Sequence, residues 1–144
     1  MSVYQTFLAK DTGKLIVVIC VPVSDENNKT VGLLMASTEL TSVSDFVTGL
    51  SEGGSNVYVL SRQGKVIAHP NIEYVQNQED FSSLDFVQAG LTGEEKTIKS
   101  TNFSGEKVVV SHSLSEKTGW LLVVETPLKV AMSKSYKLLN IYIT

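Results

Sequence analysis

Asn56-Val-Tyr-Val-Leu-Ser-Arg-Gln-Gly-Lys-Val-Ile-Ala-His-Pro70 is the stretch on which the fold turns. Its two halves, residues 56–61 and 65–69, are short and rich in β-branched and aromatic residues, and both read as strands. Arg62, Gln63 and Gly64 make the tight turn between them, with Gly64 free to take a positive φ. Pro70 has no N–H for a ladder and ends it. The stretch predicts an antiparallel hairpin.

Upstream, Leu40, Val43, Phe46, Val47 and Leu50 recur at steps of three and four, which predicts a helix from residue 41. Ser42 and Asp45 have the spacing of a capping box. The glycines of Ser51-Glu-Gly-Gly-Ser55 end the helix. Before it, residues 15–23 and 31–39 are apolar runs around a polar cluster and predict another antiparallel hairpin. Residues 15–21 are apolar on both faces, which predicts a strand buried on both sides.

Downstream, residues 71–82 are polar with scattered aromatics and read as a loop. Phe81, Leu84, Val87 and Leu91 predict a short amphipathic helix, with Ser82 and Asp85 at capping-box spacing. Three strands follow, over residues 95–103, 107–114 and 120–126. Trp120, Leu122 and Val124 share a face and read as core. Pro127 suits the first position of a last helix, whose apolar face would run through Leu128, Met132, Ser135, Leu139 and Tyr142.

From residue 41 the order is helix, strand, strand, helix, three strands, helix. That predicts an α+β domain, a PAS-like five-stranded antiparallel sheet flanked by helices. The hairpin of 15–39 leads into a helix, as the strands of 107–126 do. This weak repeat divides the chain into the tail of one module, residues 1–40, and a complete second module, residues 41–137. Residues 138–144 are apolar without a stop residue and read as the start of a membrane-spanning helix.

The 144 residues are 42% hydrophobic and 19% charged, which excludes disorder of the whole chain. A net charge of −3 argues against phosphate-backbone binding, so no nucleic-acid partner is expected. A single cysteine, Cys20, excludes an internal disulfide and a multi-cysteine metal centre. No basic start followed by an apolar core marks a signal peptide, and no apolar run reaches bilayer length.

Little points to catalysis. His69 and His112 are the two histidines, and Ser111 faces away from His112 on a strand. The carboxylate pairs Asp25-Glu26, Glu79-Asp80 and Glu94-Glu95 fall in turns or at element ends, where carboxylates stay solvated. No glycine pattern cradles a phosphate. No enzyme, cofactor or metal is expected. Tyr58, His69, Tyr74 and His112 could instead converge on a pocket between the sheet and residues 70–93. The plainer alternative is that these four side chains only pack.

The residues at 56–70 resemble the strand–turn–strand signature of Cache domains, extracytoplasmic PAS-like sensors of bacterial receptors. Thr118-Gly-Trp-Leu-Leu-Val-Val-Glu-Thr-Pro127 resembles the last strand and exit helix of that family. Residues 11–23 with 31–36 resemble the end of a preceding, membrane-distal module. The resemblance implies a double-Cache sensor region of a chemotaxis receptor or sensor kinase, tethered to the membrane and homodimeric in the intact receptor. Its ligand would be a small amino acid, carboxylate or amine. In double-Cache amino-acid receptors the distal module usually binds, through aromatic and arginine residues whose places would lie upstream of Met1, and the aspartate often found on its last strand would fall near Ser37 here. The alternatives are a soluble intracellular PAS-type domain and, from another class, a small hydrolase.

Overall fold

A computed structural model describes residues 3–94 and 96–133. Among the described residues the elements run β1 (Val3–Leu8), β2 (Leu15–Ser24), β3 (Thr30–Glu39), α1 (Thr41–Leu50), β4 (Asn56–Leu60), β5 (Val66–Ala68), α2 (Ile72–Gln76), α3 (Asp85–Leu91), β6 (Thr97–Thr101), β7 (Lys107–Leu114) and β8 (Leu121–Pro127). Residues 128–133 continue from β8 as a helical segment. The rest of the expected exit helix, from Ser135 to Tyr142, and the expected membrane segment at 138–144 lie outside the described residues.

The strands make two sheets. One has three strands in the order β1-β2-β3, the other five in the order β5-β4-β8-β7-β6, and every pairing is antiparallel. The α+β architecture with a PAS-like five-stranded sheet is as expected. The turn from Ser61 to Lys65 closes as read, with Gly64 at φ +81°. A Cβ there would lie 2.8 Å from the backbone of Ser82, so the position also needs a residue without one.

The core belongs to the five-stranded sheet. Tyr58, Leu60, Ala68, Phe86, Val87, Val110, Leu121 and Val123 are completely buried. Strand β4 is buried on both faces, since Val57 and Val59 are buried as well as Tyr58 and Leu60. Helix α1 lies along β4 and β5, α2 against β5, and α3 over β7. At Gly90, α3 comes so close to the sheet that a Cβ would sit 2.8 Å from Leu121 and 3.1 Å from His112.

Several expectations are corrected. Residues 3–8, not read as regular structure, form β1 and pair with β2 along Val3↔Cys20 to Leu8↔Leu15. Residues 71–82 are not all loop, because Asn71 caps α2 by accepting the Glu73 N–H at 3.0 Å. Neither capping box forms. Helix α1 begins at Thr41, which leaves Ser42 inside it, and α3 begins at Asp85 after an extended Leu84. Asp80, not Asp85, takes the Ser82 N–H, at 2.9 Å. In β8 the inward residues are Leu121, Val123 and Glu125; of the face expected to be core, Trp120 and Val124 are half-buried and pack against the core, while Leu122 is exposed.

Strand β2 is not buried on both sides either. Only Leu15 and Val17 are buried, and its far end from Val21 onward is exposed. These two join Leu40 and Val47 in the same buried cluster as the five-stranded sheet. Strand β3 is exposed over its whole length.

Candidate functional site

Strand pairing places a carboxylate inside the apolar sheet. Val123 and Glu125 of β8 alternate on the inner face, opposite Tyr58 and Asn56 of β4. Glu125 is 5% exposed. The Tyr58 hydroxyl donates to its Oε2 at 2.9 Å, and the Asn102 amide donates to its Oε1 at 3.0 Å. Asn56 makes a longer contact of 3.5 Å to Oε1. Asn102 is itself fixed: its Oδ1 accepts from the Ser104 hydroxyl and the Glu106 N–H, both at 2.9 Å, which aims its amide at Glu125. Burial pushes the Tyr58 hydroxyl far above the usual tyrosine range, and the charge and hydrogen bond of Glu125 add to that. Tyr58 is therefore a fixed donor.

Above Glu125 lies a cavity of about 380 Å³. Its walls are His69 and Pro70 after β5, Tyr74 on α2, Phe81, and the β6–β7 turn with Phe103 and Glu106. The aromatic rings form one cluster. Phe81 and Phe103 stack at 4.4 Å between centroids, and Tyr74 meets Phe103 edge-on at 5.5 Å. His69 sits 4.9 Å from both Tyr58 and Tyr74. Its Nδ1 accepts the Asn71 N–H at 2.8 Å, which puts the proton of the neutral ring on Nε2. Burial pulls the His69 pKa down to about 4, so the ring is neutral at pH 7.

Of the four residues singled out in the sequence, His69 and Tyr74 line this cavity, and Tyr58 lies beneath it, holding Glu125. His112 does not line it. It pairs with Val123, two residues along β8 from Glu125, where α3 closes over the sheet at Gly90. Neither of its ring nitrogens has a hydrogen-bond partner among the described residues. The sequence reading did not single out Glu125, Asn102 or Phe103. A carboxylate two residues past Val123, in the inward alternation of a strand, was the available signal for Glu125.

Among the described residues, no group of three or more His, Cys, Asp or Glu could hold a metal, and no helix is long and apolar enough to cross a membrane.

The fold matches solved sensor domains. The extracellular domain of a putative histidine kinase, mmHK1S-Z3, superposes with a TM-score of 0.79 at 14% identity, over 95% of this chain and 53% of that one. The periplasmic sensory domain of the Campylobacter jejuni chemoreceptor Tlp1 gives 0.73 at 13% identity, over 90% and 49%. The ligand-binding domain of Mlp24 with asparagine gives 0.67 at 22% identity, over 90% and 52%. The chain thus spans about half the length of the structures it matches. No curated protein matches it in sequence. The Cache domain family matches residues 2–135, and the chain belongs to that family.

Proposed function

We propose that the chain is part of the extracytoplasmic sensor region of a bacterial transmembrane receptor, of the chemotaxis or sensor-kinase type, without catalysis of its own. Residues 41–137 would be the membrane-proximal Cache module and residues 1–40 the closing strands of a membrane-distal one. The family membership and the likeness to extracellular and periplasmic sensor domains support this reading. The observation that carries it is the cavity over Glu125: its volume lies within the ~300–1,000 Å³ of small-molecule sites, and a few polar groups converge among aromatic walls.

In this reading a ligand in the cavity alters the packing of β8 against its neighbours. Strand β8 runs directly into residues 128–133, so the change passes along the chain toward the membrane and across a homodimer. A ligand drives this only through unequal affinity for two arrangements of the sheet and helices.

A thermal-shift screen of amino acids, carboxylates and amines tests the ligand-binding part. At 100 times its dissociation constant a true ligand stabilises by about 2.7 kcal/mol. The rise in melting temperature is expected to shrink in Tyr74→Ala, whose apo form should melt cooperatively. A flat screen would leave the module as a relay.

A further inference from the structure

We propose that the cavity over Glu125 takes a small organic cation: an ammonium-bearing molecule with no carboxylate. This rests on reading the cavity as a ligand site and narrows its chemistry. The lining holds two carboxylates, Glu106 at the rim and Glu125 at the floor, and neither Lys nor Arg. His69 adds no charge near neutral pH, because burial holds its pKa at about 4. The wall is therefore anionic without a compensating cation among the described residues.

Glu125 has capacity left. Tyr58 supplies one donor to Oε2; Asn102, with the long contact of Asn56, supplies Oε1. A carboxylate offers about four acceptor positions. Its donors are all neutral, so no partner charge offsets the burial of this one, and such burial is costly. An ammonium entering the cavity would supply both the missing charge and the missing donors. The rings of Tyr74, Phe81 and Phe103 line the same cavity, and a cation seated against an aromatic face gains further attraction. A ligand carboxylate would meet two like charges and no cationic side chain. Simple amines should therefore be preferred over amino acids and over carboxylates.

The test uses the whole chain at fixed ionic strength, with calorimetric titration and thermal melts. The probes are alkylammonium ions from methyl to hexyl, the alcohols and carboxylates of matching length, and potassium chloride. At least one alkylammonium ion is expected to bind and raise the melting temperature, while its alcohol and carboxylate do neither. Glu125→Gln keeps the shape and removes the charge; affinity should fall roughly 10- to 100-fold, the worth of a charge-assisted hydrogen bond. If that variant does not melt cooperatively, Phe103→Ala at the exposed edge of the cavity decides, with an expected loss of about 2- to 5-fold. Unchanged affinity in whichever variant decides overturns the proposal. Stabilisation by the carboxylates, or by amino acids alone, overturns the cation assignment while leaving the cavity a ligand site. Potassium acting as strongly as the alkylammonium ions overturns it in favour of bulk charge screening. If neither these probes nor the broader screen binds, the cavity is not a ligand site and the cation assignment falls with it, which leaves the module a relay.

Discussion

The two sheets of this protein contrast a long backbone ladder with deep side-chain burial. In the three-stranded sheet, β2 and β3 pair from Ile16↔Glu39 to Ser24↔Thr30, the longest ladder in the described structure. Yet Leu34 of β3 is 66% exposed and Met35 63%. In the five-stranded sheet β4 has only five residues, and Tyr58 and Leu60 within it are fully buried. A ladder satisfies the backbone wherever it forms. The stabilisation comes from what covers its faces. Helices cover the five-stranded sheet, whereas among the described side chains of the other only Leu15 and Val17, at its base, reach shared core.

The largest expected effect separates the sheets directly. Leu60→Ala should cost about 3 kcal/mol, as large-to-small changes in closed cores do. Leu34→Ala should cost no more than about 0.5 kcal/mol, as exposed positions do. Urea unfolding of both variants measures this. Equal losses would mean that β3 is covered in solution and would erase the contrast.

The next effect concerns acid. Unfolded His69 takes a proton near pH 6.5, but the folded ring resists until about 4. Between those values the unfolded chain binds more protons, so stability falls as the pH drops. The loss should approach about 3 kcal/mol by pH 4. Melting temperatures from pH 7 to 4 should show this decline, and His69→Gln should flatten it. A decline unchanged in that variant would place the acid sensitivity elsewhere.

The smallest effect on stability should come with a visible effect on association. Leu33, Leu34 and Met35 lie on an exposed, apolar edge strand, a surface that recruits other chains. Leu34→Lys should shift the melting point little and reduce self-association, seen in sedimentation velocity over a concentration series. Unaltered sedimentation would show that β3 does not drive contact between copies.

Much of the fold was legible because its signals are local. The 61–65 turn, the helix from Thr41 and the β-branched strands each announce themselves within a few residues. Strand β1 does not: it pairs with β2 but carries only six residues, with Gln5 and Thr6 in its middle. Helix α2 has five residues, too few to show a period of 3.6, and Asn71 was its single marker. At the site, His69 and Tyr74 were legible as polar and aromatic groups beside a covering segment. Glu125 was not, because its importance comes from Tyr58, 67 residues away, and Asn102, 23 residues away. His112 was misplaced by sharing a sheet face with them while lying under α3.

Strand β8 reads Leu121-Leu-Val-Val-Glu-Thr-Pro127, and its apolar residues occupy both faces alike. Leu121 and Val123 point inward; a slip of one residue would send Leu122 and Val124 inward in their place. Hydrophobic burial scarcely distinguishes these two pairings. Glu125 does, because a one-residue slip turns every side chain to the opposite face. The slipped strand would carry the carboxylate away and strand the buried Tyr58 hydroxyl and Asn102 amide, at about 1–3 kcal/mol for each unpaired group. The same carboxylate thus favours one alignment of the central strand over its neighbour, whether or not the cavity above it is filled.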